Sequence, residues 1–217
     1  MTRLASREAV TLVGGGPFPP RHLGLALTLA PVLAAADGGA DQAVRLGHVP
    51  QAVWGDFDSI SDQARAAIPP QRLHPIAEQD STDFQKCLSR IDAPLVLAVG
   101  FSGGRQDHFL AALSTLARGI GPPTILIADE DVITLCPPRI ALDLPVGTRL
   151  SLFPMGPAQG RSTGLAWPID GLPMAPDGRI GTSNRTTGPV RIAMQGPMLL
   201  ILPRAQLAPL VAALRDA

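Results

Sequence analysis

Two aspartates one residue apart, Asp56 and Asp58, are the residues of this sequence that most clearly suggest chemistry. They directly follow an apolar run in the segment "VWGDFDSI", residues 53–60. Alternate side chains of an extended backbone lie on one face, so the two carboxylates are expected to be close together and to repel each other. Two close carboxylates normally force one of them to take up a proton unless a cation offsets the charge. The spacing therefore favours a bound divalent cation.

The acidic residues are concentrated around this pair. Ten of the 18 acids lie between Asp37 and Asp107. Ligands of an open parallel sheet bind beyond the carboxyl ends of its strands, and six aspartates follow strand-like segments here: Asp37, Asp56, Asp58, Asp80, Asp83 and Asp107. We expect all six at one edge of a sheet, where Mg²⁺ would be shared between carboxylates and phosphate oxygens. Helix capping explains any single acid equally well, but it explains the Asp56–Asp58 pair less well.

Two glycine-rich segments suit a phosphate site. "VGGGP" contains Gly15 and Gly16, whose amides are expected to approach a phosphate chain. It lacks both the GxGxxG pattern and a Walker lysine, so on its own this segment favours a plain tight turn. "GFSGGRQDHF" places Gly104 and Arg105 just before a predicted helix start at Asp107 and His108. A capped helix after a glycine loop explains the glycines and Asp107, but not the adjacent Arg105 and His108.

The elements that must position these residues are predicted from hydrophobic periodicity. Six short apolar runs, separated by segments with helical spacing, indicate a parallel sheet covered on both faces. The predicted strands are residues 9–13, 32–36, 51–54, 72–76, 94–99 and 124–128. Beyond about residue 130, proline and glycine become dense between short β-type runs. We therefore predict an α/β domain over residues 1–130 and a smaller all-β, sandwich-like domain over residues 131–217, with a short helix closing the chain.

Bulk composition excludes several classes of protein. The 18 acidic and 18 basic residues balance, so no basic surface for nucleic acid is expected. The apolar stretch "LGLALTLAPVLAAADGGA" resembles a secretion signal, but it begins late, is interrupted by Pro31 and is too short to span a bilayer. Cys87 and Cys136 have no metal-ligand spacing and are expected to be reduced and buried. A cytoplasmic location without membrane association is predicted.

Five motifs together resemble one family. "ADGGAD", "GDFDSI", "DSTDFQKCL" and "GGRQDH" occur in the order and approximate spacing of the thiamine pyrophosphokinases, and "GLAWPI" followed by "GTSN" resembles that family's second domain. The resemblance runs from about residue 10 to residue 205. Gln79 departs from it, because a basic residue is common before the aspartate that Asp80 matches.

The resemblance implies an α/β nucleotide domain followed by a β-sandwich, assembled as a homodimer that takes thiamine and ATP and needs Mg²⁺. It implies transfer of a pyrophosphoryl group from ATP to the thiamine hydroxyl, releasing AMP. Asp56, Asp58 and Asp83 would hold the metal, and Asp80 or Asp107 would take the hydroxyl proton. Gly15, Gly16, Asp37, Gly104, Arg105 and His108 would contact ATP, while Trp167, Ser183 and Asn184 would bind thiamine near the subunit interface.

Three alternatives stay open at this point. A related pyrophosphokinase acting on a hydroxymethylpterin would use the same ATP and metal residues. A metal-dependent phosphohydrolase would use paired aspartates to activate water. A nucleotide sensor would bind ATP without turnover. For Trp167, a simple core position is the alternative to stacking on a thiamine ring.

Overall fold

The computed structural model describes residues 2–216 as a mixed α/β structure. The chain divides into two compact units, Met1–Asp129 and Glu130–Ala217. Each unit is described separately below.

The first unit contains a parallel sheet and five α-helices. Its strands are β1 (Leu4–Ala5), β2 (Val10–Val13), β3 (Val32–Ala36), β4 (Ala52–Gly55), β5 (Leu73–Pro75), β6 (Ile91–Asp92), β7 (Val96–Val99) and β8 (Thr124–Ile127). Its helices are α1 (Pro20–Leu29), α2 (Gly39–Arg45), α3 (Asp62–Ala67), α4 (Asp83–Leu88) and α5 (Gln106–Ala117).

Six of these strands run parallel in the order β8-β7-β2-β3-β4-β5. They correspond to the six strands that the apolar runs predict. Every residue of β2, β3, β4, β7 and β8 is buried. Successive side chains of a strand point to opposite faces, so both faces of the sheet are covered. The short strands β1 and β6 pair separately, also in parallel.

Two helices begin at the carboxyl edge of this sheet with side-chain caps. The Ser61 hydroxyl accepts a hydrogen bond from the amide of Ala64 at the start of α3 (3.1 Å). The Thr82 hydroxyl accepts one from the amide of Gln85 at the start of α4 (3.3 Å). Such caps satisfy otherwise unpaired helical amides and fix where each helix starts. The caps therefore position the acidic residues that lie between strand and helix.

The second unit is mainly β-structure. Its strands are β9 (Asp131–Leu135), β10 (Arg139–Leu142), β11 (Arg149–Pro154), β12 (Gln159–Leu165), β13 (Gly181–Gln195) and β14 (Met198–Pro203), followed by α6 (Leu207–Arg215). All strand pairs within this unit are antiparallel. The 15-residue strand β13 pairs with β11 near its start, with β10 over residues 190–193, and with β12 at Thr186 and over residues 191–195.

Burial alternates along β13. Asn184, Thr186, Val190, Ile192 and Met194 are buried, whereas the residues between them are more exposed. This period of two is typical of a sheet with one buried face. The closing helix α6 contacts β10 and buries Leu207, Leu210, Val211 and Leu214, as its predicted helical spacing requires.

Burial of the two cysteines is confirmed. Both are free thiols with almost no exposure, and desolvation raises the pKa of Cys136 to about 12. Such thiols are mostly protonated and inert at neutral pH. Across residues 2–216, no helix has the length and hydropathy needed to cross a bilayer.

Candidate active site

Three carboxylates converge at the carboxyl edge of the parallel sheet. One oxygen from each of Asp37, Asp56 and Asp58 lies within 4.8 Å of the others, close enough to hold a single metal ion. Asp37 directly follows β3, and Asp56 directly follows the neighbouring strand β4. We call these three residues the acid cluster. It contains the Asp56–Asp58 pair that the sequence singled out, and it adds Asp37, which we had expected to contact ATP.

Asp37 is the buried member of the cluster. Only 5% of its surface is exposed, and its Oδ1 atom has no hydrogen-bond partner among the described residues. Its backbone adopts φ +42°, a conformation that L residues rarely adopt. A Cβ added at Gly55 would lie 2.7 Å from Asp37 Cβ, so only glycine leaves room for Asp37 here. The fold therefore holds one buried carboxylate oxygen that no described protein group satisfies.

This environment raises the pKa of Asp37. The main cause is desolvation, and the charges of Asp83 and Asp58 add to it, while hydrogen bonds from the Gly38 backbone and the Ser59 side chain oppose it. Burial and nearby like charges both disfavour the ionised form of a carboxyl group. A bound cation would reverse this balance.

Asp56 is held by hydrogen bonds. Gln79 Nε2 donates to Asp56 Oδ2 (3.0 Å), and the amide of Asp58 donates to Asp56 Oδ1 (3.3 Å). Together they lower the pKa of Asp56, the Gln79 bond contributing most. Gln79, which departs from the family pattern, therefore orients a carboxylate of the cluster. Phe57, between the two aspartates, has φ +64°, which sharpens the turn that brings them together.

Asp80 and Asp83 lie on the segment between β5 and α4. Asp80 is exposed, and its amide donates to the Glu78 carboxylate (2.9 Å), which also accepts from the amide of Ser81 (3.1 Å). Asp83 is the first residue of α4 and accepts a hydrogen bond from Lys86 Nζ (3.3 Å). Asp83 is not a member of the acid cluster, but its charge acts on Asp37. We had expected Asp56, Asp58 and Asp83 to hold the metal. The geometry instead groups Asp37 with Asp56 and Asp58.

The loop before α5 carries an exposed ion pair. Arg105 donates to Asp107 through Nε (3.1 Å) and through Nη2, with both side chains more than half exposed. This pairing lowers the pKa of Asp107 to about 2, and the amide of His108 also donates to its carboxylate. Gly104 adopts φ +80°, which a glycine tolerates. Phe101, on the same loop, contacts the ring of Phe84 in α4 with centroids 4.4 Å apart.

The glycine segment after β2 is partly occupied by protein hydrogen bonds. The Gly16 amide donates to the carbonyl of Gly100 (3.0 Å), so it is already paired. Gln42 Nε2 donates to the carbonyls of Gly15 (3.3 Å) and Gly16 (3.2 Å). A Cβ at Gly39 would lie 2.1 Å from the carbonyl oxygen of Val13. Because glycine has no side chain, α2 can pack directly against the end of β2. The segment is therefore braced by its neighbours.

In the second unit, the Asn184 side chain hydrogen-bonds to the backbone of Trp167, whose indole is exposed. Asn184 Oδ1 accepts from the Trp167 amide (3.1 Å), and Asn184 Nδ2 donates to the Trp167 carbonyl (2.6 Å). Trp167 is 58% exposed, so the alternative that it is a core residue is wrong. The Arg185 guanidinium lies 5.6 Å from the centre of the indole ring. Ser183, with φ +61°, donates its amide to Ser151 Oγ (3.0 Å).

Sequence reasoning missed several residues that support the site. Gln79, Glu78 and Gln42 orient the acid cluster or brace the loops around it. The sequence singled out Gln79 only as a departure from the family pattern, and it gave no signal for Glu78 or Gln42. Lys86 is different, because it is the single lysine of the chain and is 3% exposed. The sequence alone shows that Lys86 is the single lysine, so this residue could have been singled out before the structure.

Comparison with known families matches both units. The family model described as "Thiamin pyrophosphokinase, catalytic domain" matches residues 24–122, and "Thiamin pyrophosphokinase, vitamin B1 binding domain" matches residues 139–199. The chain belongs to the thiamine pyrophosphokinase family. The predictions of this family and of a pyrophosphokinase enzyme are confirmed.

Individual relatives and structures agree with the family. "Thiamine pyrophosphokinase 1" of Oryza sativa subsp. japonica is 29% identical over 199 residues, covering 76% of this chain and 75% of the relative. The structure of thiamin pyrophosphokinase from Candida albicans superposes with a TM-score of 0.76 at 15% identity, covering 93% of each chain. Thiamine pyrophosphokinase from Bacillus subtilis superposes with a TM-score of 0.73 at 23% identity, covering 90% of this chain and 98% of that one. At these identities, the structures show a shared thiamine pyrophosphokinase fold.

Proposed function

We propose that this chain transfers the pyrophosphoryl group of ATP to the hydroxyl of thiamine, giving thiamine diphosphate and AMP. The observation that carries the proposal is the acid cluster at the carboxyl edge of the parallel sheet, within a chain whose two units match the catalytic and vitamin-binding models of one family. Residues 1–130 would bind ATP and metal. Residues 131–217 would bind thiamine and form the dimer contact.

The acid cluster fits Mg²⁺. It offers hard oxygen donors from Asp37, Asp56 and Asp58, the donor type that Mg²⁺ prefers. The buried, unpartnered Oδ1 of Asp37 is also the kind of atom that a metal ion satisfies. Asp83, whose charge acts on Asp37, would hold water molecules of the metal. When bound, the ion would neutralise charge on the phosphates.

Side chains and backbone groups of this chain must position the triphosphate of ATP. Attack occurs at the β-phosphorus, with AMP as the leaving group, so catalysis depends on positioning and on offsetting negative charge. Arg105 is more than half exposed and would offer its guanidinium to the phosphates, moving away from Asp107. Gly104 and Gly15 would allow close approach of the backbone, and His108 would lie beside the phosphates. The paired amide of Gly16 argues against a direct phosphate contact from that group.

The proton of the thiamine hydroxyl needs an acceptor. Asp80 and Asp107 are the two acids that the sequence suggested, and both are exposed. While Asp107 is paired with Arg105 its pKa is about 2 and it is a weak base, but it becomes available once Arg105 turns to the phosphates. Asp80 needs no such movement, because its carboxylate is not engaged by a salt bridge among the described residues.

Thiamine would bind against Trp167. A flat aminopyrimidine and a cationic thiazolium both suit an exposed indole face, by stacking and by cation–π attraction. Arg185, now over this ring, would have to move aside. Asn184 hydrogen-bonds to the backbone of Trp167 and so fixes the segment that carries the indole. Ser183 directly precedes Asn184 in the sequence. A homodimer, a cytoplasmic location and a sandwich-like second domain stay predictions.

The test is an assay of AMP release by the purified chain with ATP and Mg²⁺. We expect AMP only when thiamine is added, together with an equal amount of thiamine diphosphate. Hydroxymethylpterin and a reaction without an acceptor are the parallel arms. AMP formed with the pterin alone, or free phosphate released without any acceptor, would replace this proposal with one of the two alternative enzymes.

A further inference from the structure

Lys86 is an unusual residue in this chain. The 18 basic residues comprise 17 arginines and this one lysine. Its side chain is only 3% exposed, and lysine is almost never fully buried without a partner. A chain that uses arginine for every other basic position has kept a compact ammonium at one enclosed site.

The site in question lies beside the acid cluster. Lys86 and Asp83 are three residues apart in α4, so they share one face of the helix. This helix contacts β3 and β4, the strands that Asp37 and Asp56 directly follow. Lys86 therefore places its positive charge at the sheet edge where the carboxylates converge.

The ammonium of Lys86 is not fully used by the protein. Within residues 2–216, its one hydrogen-bond partner is Asp83 Oδ1, at a rather long 3.3 Å. An ammonium group has three donors. Its remaining donors have no acceptor among the described residues.

We propose that Lys86 is a positioning residue that fixes Asp83 and supplies a positive charge beside the acid cluster. This inference rests on the proposed function, because it assumes that the cluster receives Mg²⁺ and the triphosphate of ATP. The charge partly offsets mutual repulsion of the carboxylates before any ligand arrives, and it attracts the phosphates when they bind.

The enclosure explains why this residue is lysine. A guanidinium is planar, wider than an ammonium and carries five donors in a fixed fork. The Lys86 side chain is 3% exposed and its one hydrogen-bond partner among the described residues is Asp83, so five donors would find too few acceptors. A small charge at the end of a flexible chain can occupy this space and direct its donors to Asp83.

The role predicts opposite changes in two affinities. Lys86→Met replaces the ammonium with an apolar group of similar length, which suits a buried position. Without the positive charge, free Mg²⁺ should bind about threefold tighter, whereas a non-hydrolysable ATP analogue with Mg²⁺ should bind about tenfold weaker. A merely structural role would weaken both. Lys86→Arg keeps the charge but fits the enclosure less well, so its Mg²⁺ affinity should move back toward the wild-type value while its nucleotide affinity stays intermediate.

Calorimetric titrations of the full chain with Mg²⁺ alone, and with the analogue plus Mg²⁺, measure these affinities without turnover. Arg118→Met is the matched control, because Arg118 donates to Gln85 of the same helix (2.9 Å) but is exposed. It should change neither affinity. Thermal unfolding checks each variant, and Lys86→Gln replaces Lys86→Met if the latter folds poorly.

Weakening of both affinities, or no change in either, in a folded Lys86 variant would overturn the inference and leave the proposed function intact. A wild-type chain that binds no Mg²⁺–nucleotide would instead overturn the proposed function, and this inference with it.

Discussion

The buried carboxylate of Asp37 should lower the stability of the metal-free protein, although we expect catalysis to require it. Its carboxylate is buried, has an unpartnered oxygen and lies within 4.8 Å of acidic oxygens of Asp56 and Asp58. We therefore expect Asp37→Asn to stabilise the metal-free protein while lowering turnover at least about a hundredfold. The new amide group can donate to the neighbouring carboxylates, so it introduces no unsatisfied donor.

The size of the stabilisation follows from the geometry. Two unit charges 4.8 Å apart repel each other by about 3 kcal/mol at an effective dielectric constant of ~20. Asp58 is exposed, and solvent screening reduces this to about 1 kcal/mol. For a chain of this size, that corresponds to a rise in Tm of about 2–4 °C.

Thermal unfolding in two buffers tests this. With EDTA, Asp37→Asn should unfold at a higher temperature than wild type. With Mg²⁺ at about a hundred times its Kd, wild type gains about 2.7 kcal/mol from binding and the variant gains much less, so the order should reverse. Asp143→Asn, which removes an exposed carboxylate from the second unit, is the control and should shift Tm little in either buffer. A lower Tm for Asp37→Asn in EDTA, or the same order in both buffers, would refute the reasoning.

Four further predictions concern single residues. Asp58→Asn should lower turnover at least about a hundredfold at saturating Mg²⁺ and leave the circular dichroism spectrum unchanged, because it removes one carboxylate of the acid cluster. Gly55→Ala should weaken Mg²⁺ binding at least about tenfold by calorimetry, because the new Cβ would lie 2.7 Å from Asp37 Cβ and displace that residue. Trp167→Ala should raise the KM for thiamine about tenfold with little change in Tm, because the indole is 58% exposed. Burial lowers the pKa of His74, so the unfolded chain binds a proton more readily and wild-type stability should fall as pH drops below about 6.5; His74→Phe should lose less Tm between pH 7.5 and 5.5.

Each of these has an outcome that contradicts it. Near-normal turnover of Asp58→Asn would remove that carboxylate from catalysis, and unchanged Mg²⁺ affinity in Gly55→Ala would show that Asp37 is not a ligand. Ile180→Ala, which truncates another exposed apolar residue of the second unit, should leave the thiamine KM unchanged. Parallel Tm curves for wild type and His74→Phe would show that His74 does not titrate differently on folding.

The parallel sheet could be predicted from sequence because its strands are buried on both faces. Continuous apolar runs such as residues 10–13 and 96–99 give a strong signal when helices separate them. The carboxyl edge then follows from chain direction, which is why the position of Asp56 and Asp58 was predictable. The β-rich unit was harder, because the pairing of one 15-residue strand with three partners depends on long-range contacts.

The separate roles of the site residues could not be predicted from the sequence. Asp37 looked like one strand-end aspartate among several, and only packing against Gly55 makes it the buried member of the cluster. Gln79 looked only like a departure from the family pattern, whereas its amide holds Asp56. Local sequence carries no information about such partners, because they are set by which loops meet in three dimensions.

The backbone angles at the two sites bear on engineering. Among the described residues, the non-glycine positions with positive φ are Asp37, Phe57 and Ser183. Asp37 belongs to the acid cluster, and Phe57 lies between two of its members. Ser183 precedes Asn184, which holds the backbone of Trp167. Such conformations cost roughly 1–3 kcal/mol each. Directed evolution for thermal stability alone would therefore select substitutions at these three positions, because glycine and asparagine adopt positive φ with less strain. Libraries built for that purpose should hold them fixed, since a hardier protein obtained there would be a poorer catalyst.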